Sequence, residues 1–127
     1  MSFSFDLGQG LILVDARVVG PVGVRQIRLA LDTGATSTLI NVEKLLALGY
    51  DPADSQDRAR IVTGSGVEKV ARVKIDFISA LGRERSDFAI VAHTLPASAG
   101  IDGLLGLDFL GEGVLTVDFN RGTISLV

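Results

Sequence analysis

The 127-residue chain has no cysteine and no tryptophan, and only one histidine, one methionine and three prolines. Without cysteine there are no disulfides, no thiolate metal sites and no cysteine redox or nucleophile chemistry. The lone His93 cannot build a multi-histidine metal site, and it reads as a strand-end residue rather than a ligand or base. No run approaches the roughly 18–20 apolar residues that span a bilayer. Residues 1–7, Met-Ser-Phe-Ser-Phe-Asp-Leu, lack the basic region and apolar stretch of a secretory leader. No lysine–arginine cluster stands out and the net charge is −3, which argues against nucleic acid as a partner. The expectation is a cytoplasmic protein with no cofactor, no metal, no membrane and no nucleic-acid partner.

What is plentiful is apolar material, 47% of residues, and glycine, 15 residues. The first supplies a core for a single domain over residues 1–127. The second suggests tight turns rather than long helices. Residues 11–19 and 25–31 read as strands around Gly20-Pro21-Val22-Gly23, with Ile27, Leu29 and Leu31 on one face. Residues 41–49 predict a short helix, with Asn41 as N-cap and Gly49 as stop. Residues 50–57 are a polar loop. Residues 59–63 and 67–77 flank Gly64-Ser65-Gly66 as a glycine-tipped hairpin. With no large apolar residue at its tip to bury, it should project and move. A charged turn over 81–85, a strand over 86–93 and a small-residue loop over 96–100 follow. Residues 101–110 start as a strand and end as a short helix. A last hairpin, 115–119 and 123–127, turns at Asn120-Arg121-Gly122. The sum is mainly β with one or two short helices.

Residues 29–40 carry the chemistry. An apolar strand ends in Asp32, followed by Thr33-Gly34, and an apolar segment resumes at Leu39-Ile40. That sets a carboxylate at a tight turn between buried strands, where a charge is normally costly. An Asp-Thr-Gly is also an ordinary turn, and one arises by chance in about a few per cent of chains this long. About 70 residues later comes Leu104-Leu105-Gly106, which alone reads as a buried core strand. The glycine-tipped hairpin lies between the two. The ordered combination is far more specific than either piece.

This order of acidic turn, hairpin, apolar-apolar-Gly and terminal strand resembles the retropepsin-like, or retroviral-type, aspartic proteases along nearly the whole chain. The resemblance implies a closed, barrel-like β fold and a homodimer, because one chain holds one Asp-Thr-Gly and the family uses a pair. It implies Asp32 as the acid/base of a peptide hydrolase. Thr33 would hydrogen-bond across the two-fold axis, and Gly34 would donate its N–H to the carboxylate. Ala35 matches the retroviral form. It offers no hydroxyl to stabilise the ionised acid, so the working pH should be mildly acidic to neutral rather than strongly acidic. Substrate contacts are implied for Ala35, Thr36, Ser37, Thr63, Gly64, Ser65, Gly66, Leu104 and Leu105, the four residues 63–66 acting as a flap.

The chain departs from the family at several points. Thr36 and Ser37 stand where the viral enzymes commonly carry acidic residues. Leu107 replaces an arginine before Asp108, which removes the ion pair between helix and loop. Thr63-Gly64-Ser65-Gly66 replaces an isoleucine-flanked glycine run. Asp102 lacks the Thr-Gly context and reads as a loop residue. Two other readings stand beside the peptidase. One is a peptide-binding or dimerisation module of the same fold that cuts poorly or not at all. The other is a monomeric β domain in which Asp32 only caps a turn.

Overall fold

The computed structural model describes residues 1–127. Along the chain lie β1 (Phe3–Ser4), β2 (Leu13–Gly20), β3 (Gly23–Leu31), β4 (Leu39–Asn41), α1 (Val42–Ala47), β5 (Arg58–Thr63) and β6 (Gly66–Ala80). Then come β7 (Arg83–His93), β8 (Gly103–Leu105), α2 (Leu107–Leu110), β9 (Leu115–Asp118) and β10 (Thr123–Leu126). Short 3-10 turns occupy Pro52–Asp54 and Ala97–Ala99.

Six strands in the order β2-β3-β8-β4-β7-β6 form a barrel, closed by pairing of β2 with β6. Two of its ladders are parallel, β3 with β8 and β4 with β7. Beyond the barrel β6 runs on to pair with β5. A separate three-stranded sheet has the order β1-β10-β9. The two-residue β1 has too little sequence to show a period, and no strand was expected there.

Alternation places Val14, Ala16 and Val18 of β2 inside, opposite Ile27 and Leu29 of β3. Leu45 of α1, Leu48 at the end of that helix, Leu105, Phe109 and Ile124 complete the main core. Each large side chain buried this fully contributes roughly 1.5–3 kcal/mol. Along β6 the buried set is Ala71, Val73 and Ile75, then Ile78 and Ala80. The buried face therefore changes between Ile75 and Ile78. At that level the ladder with β7 skips a rung, and Asp87 takes a φ of 49°.

α1 is as expected. Asn41 accepts a bond from Glu43 N at 3.4 Å, and Gly49 leaves the helix with φ of 94°. The charged turn expected over 81–85 is shorter. Leu81 and Gly82 alone make it, with φ of 53° and 76°. Positive φ is unfavourable for leucine, but the Leu81 side chain is buried in the core. Arg83 and Arg85 belong to β7. Their guanidinium groups donate to the carbonyls of Phe109 and Gly111 at the end of α2, and Arg83 also to Glu112. The last hairpin forms as expected. No helix is long and apolar enough to cross a membrane.

Candidate active site

β3 delivers Asp32 to a turn pinned on both sides. Leu31 N donates to Ile12 O at 2.8 Å, and Asp32 N to Leu105 O at 3.0 Å. Ala35 N returns to Asp32 O at 3.2 Å and closes the turn. Gly34 N donates to Asp32 Oδ1 at 2.9 Å, while Oδ2 has no partner within the chain. A Cβ at Gly34 would stand 3.2 Å from Asp32 Oδ1, so glycine keeps that approach open. Asp32 is half-buried. Thr33 is exposed, and its hydroxyl has no partner inside the chain.

The turn rests on the segment that follows β8. Leu107 N donates to Ala35 O at 2.8 Å. A Cβ on Gly106 would meet Ser37 C at 2.8 Å and the carbonyls of Ala35 and Ser37 at 2.9 Å. Glycine is the residue that allows this contact. Thr38, the one fully buried polar side chain, links the two segments. Its Oγ1 donates to Asp108 Oδ1 at 2.7 Å and accepts from Gly106 N at 3.1 Å. Thr38 N donates to both oxygens of Asp108 at 2.9 Å, and Phe109 N to Oδ1 at 2.8 Å. The helix-to-loop ion pair is absent, as Leu107 implied, yet helix and loop are tied through Asp108.

Asp102 is more than a loop residue. Its Oδ2 accepts from Arg28 N at 2.8 Å, and Lys44 Nζ lies 3.9 Å from Oδ1. Its backbone N–H and carbonyl bond Arg28 O and Asn41 N, each at 2.8 Å. It thus stitches β3 to the start of α1 beside the parallel ladder. An acidic residue in the first turn of α2 was a readable signal for Asp108. Nothing local signals the partners of Thr38 or Asp102, which lie about 70 residues away.

Among the other expected contacts, Thr36 is exposed, and Ala35 and Ser37 are half-buried. Leu104 is half-buried and packs with Leu39, Ala59 and Val91. Leu105 requires a correction. Its side chain is fully buried in the main core, because alternation along β8 turns it away from Leu104. It serves the turn through its carbonyl and offers substrate no surface.

The hairpin of β5 and β6 turns at Gly64-Ser65, and Thr63 and Gly66 pair at its end. Its root shares the small apolar cluster that includes Leu39 and Leu104 beside the turn. The tip is less bare than expected. Val62 and Val67 form the next rung and are 84% and 65% exposed. Two surface hollows lie away from Asp32. One lies by Met1, Phe3 and Arg17, the other by Arg85, Phe88 and Asp108.

A sequence model of the aspartyl protease family matches residues 14–109. The chain belongs to that family. The matched span runs from β2 through Asp32 and the hairpin to α2, so it contains Asp32, Thr38, Gly106 and Asp108. A solved retropepsin-like aspartic protease from Rickettsia conorii has the same fold, with a TM-score of 0.71. The superposition covers 100% of this chain and 97% of that one at 18% identity. The retropepsin-like fold of this aspartyl protease family member, a closed barrel with two short helices, is therefore as expected. No curated protein matches the sequence.

Proposed function

We propose that this member of the aspartyl protease family is an endopeptidase that works as a homodimer, with one active site built from two copies of Asp32. One observation carries the reading. The Asp32-Thr33-Gly34 turn presents a half-buried carboxyl held by Gly34 N–H, with its second oxygen unclaimed and Thr33 exposed beside it. A turn that only capped itself would gain nothing from a supporting layer as extensive as Thr38, Gly106 and Asp108.

Two carboxyls about 3 Å apart do not both ionise, so the pair shares one proton. The ionised member takes a proton from a water held between them. The water oxygen bonds to the peptide carbonyl carbon while the protonated member gives its proton to the carbonyl oxygen. The C–N bond then breaks as the proton held by the first carboxyl passes to the leaving nitrogen, and a hydroxyl of the diol returns its proton to the second carboxyl, which restores the singly protonated pair. Thr33 is the group assigned to hold the two turns in register. Ala35, Thr36, Ser37 and Leu104 line the cleft in this reading, and residues 63–66 form the tip of a flap over it. Residues 1–127 act as one domain, and peptide or protein is the substrate. A cytoplasmic setting without a nucleic-acid partner belongs to the same proposal.

The test is a peptide-library digest from acidic to neutral pH with the parent and Asp32→Asn, repeated across a dilution series. Cleavage should disappear in Asp32→Asn without loss of folding, and specific activity should fall on dilution as dimers separate. Residual turnover within tenfold of the parent would refute the role of Asp32. Peptides held but left uncut by the parent would favour the binding module.

A further inference from the structure

We infer that His93 and Glu68 form a latch that sets the position of the lid hairpin, and so act as positioning residues for peptide binding. The inference rests on the proposed reading of residues 63–66 as the tip of a flap, the lid being the β5–β6 hairpin that carries that tip.

The strands β6 and β7 run together from Ala80–Arg83 to their last rung, Arg72–Val91. There they fork. β7 continues beside β4, pairing Ala92 with Ile40 and His93 with Asn41. β6 leaves with β5, from Arg58–Ala71 out to Thr63–Gly66. A two-stranded ribbon is marginal alone, so what ties it to the body decides where it sits. Its root is held by Ala59, Ile61 and Val70 against Leu39, Val91 and Leu104. Beyond the root one polar tie crosses the fork: His93 Nε2 lies 2.9 Å from Glu68 Oε2. No other side chain of residues 58–70 hydrogen-bonds to the rest of the chain.

The chemistry fixes the direction of this bond. A carboxylate only accepts, so the imidazole carries a proton on Nε2. His93 Nδ1 is buried without a hydrogen-bond partner, which makes Glu68 the only polar anchor of the ring. Glu68 stands opposite Ile61 on the same face, so the latch clamps the last rung that touches the body. The next rung outward, Val62–Val67, is exposed. On the other side His93 pairs with Asn41, at the end of the segment that continues from the Asp32 turn. The lid is thereby registered against the strand that leaves the active site. The side chains remain 24% and 46% exposed, so the contact can break and reform as the lid moves.

The test is hydrogen exchange of the free protein in His93→Leu, Glu68→Ala, the double variant and His93→Gln. The glutamine keeps a donor near the Nε2 position. Each single loss should speed exchange of the amides of residues 61–68 about twofold to fivefold, the range for a partly exposed side-chain pair. Exchange of β3 should stay as in the parent, the double variant should add nothing further, and His93→Gln should recover most of the protection. Unchanged lid exchange, additive effects, or loosening that spreads to β3 would overturn the latch. Should His93→Leu not fold, Glu68→Ala and Glu68→Gln carry the same comparison. In a parent that cuts peptides, loss of the latch should raise KM about threefold with kcat within about twofold, since the Asp32 turn is untouched. A parent that neither binds nor cuts peptides sinks the endopeptidase reading, while the exchange experiment still decides the latch.

Discussion

Replacing Thr38 by valine tests whether the layer beneath the acidic turn is held by polar bonds or merely by packing. Valine has nearly the same shape, so the change removes hydrogen bonds and leaves no large void. The hydroxyl is fully buried, donates to Asp108 at 2.7 Å and accepts from Gly106 N at 3.1 Å. A bond to a carboxylate is worth about 1.5–3 kcal/mol, and a buried N–H left unpaired costs about 1–3 kcal/mol. The two losses overlap, and the added methyl returns about 0.8 kcal/mol of burial, so the net loss should be about 3 kcal/mol. Unfolding entropy is about 2.1 cal/mol/K per residue. Over 127 residues that loss lowers Tm by about 11 °C. Thermal and urea unfolding followed by circular dichroism is the assay, since the chain has no tryptophan. Thr38→Ser is the control. It keeps both bonds, deletes one methyl and should cost about 1 kcal/mol. A valine variant within about 0.5 kcal/mol of the parent, or a serine variant as damaged as the valine one, would refute the reasoning.

At Gly106 an added Cβ would press on backbone atoms of Ala35 and Ser37, whereas at Gly64 it would meet open space. Gly106→Ala should therefore cost at least about 2 kcal/mol in urea unfolding and Gly64→Ala less than about 0.5 kcal/mol, and equal losses would contradict the close approach. Burial, more than the neighbouring Asp76, holds the Tyr50 phenol above its ordinary value, and its oxygen both donates to Val19 O and accepts from Asp76 N. A raised folded-state value favours the neutral phenol, so its stabilisation is complete below the ordinary value of about 10 and fades as pH rises through the higher folded one. Tyr50→Phe should lose about 1–2 kcal/mol at neutral pH and show a shallower alkaline decline in urea titrations at pH 7, 9 and 11. An identical alkaline slope in parent and variant would exclude the phenol as its cause.

The acidic turn, the capped helix α1 and the final hairpin were legible because their signals are local. Asp32-Thr33-Gly34, Asn41 with Gly49, and Asn120-Arg121-Gly122 each sit within one turn of what they control. Leu104 and Leu105 show where that kind of reading stops. Both were assigned to the cleft, but a three-residue strand carries no period from which to tell which of the two faces inward. The turn at Leu81-Gly82 was read too long for a related reason. Arg83 and Arg85 look like loop residues until the carbonyls of α2, some two dozen residues on, claim them. The clamp of Thr38 on Asp108 and the contact of His93 with Glu68 depend on how the barrel closes. No run of neighbouring residues encodes them.

The strand β6 belongs in turn to the barrel seam with β2, the wall with β7 and the outer hairpin with β5. The hairpin is thus the free end of a beam whose other end closes the barrel. At the branching point Arg72 is clamped: its N–H donates to Asp57 O at 2.9 Å, its guanidinium meets the Asp57 carboxylate at 3.1 Å, and its carbonyl accepts from Ser55 Oγ at 2.6 Å. These ties fix the base of the arm to the wall of the barrel. Because successive side chains of a strand face opposite ways, the arm can lengthen only in even steps. One residue inserted into each strand, between Arg72 and Glu68 in β6 and at the matching level of β5, would turn the inner edge outward and carry Glu68 away from His93. Two residues in each strand would restore the facing while moving the tip about 7 Å further out. The reach of the arm and the orientation of its inner face are thus set by residue count and parity, independently of the machinery beneath.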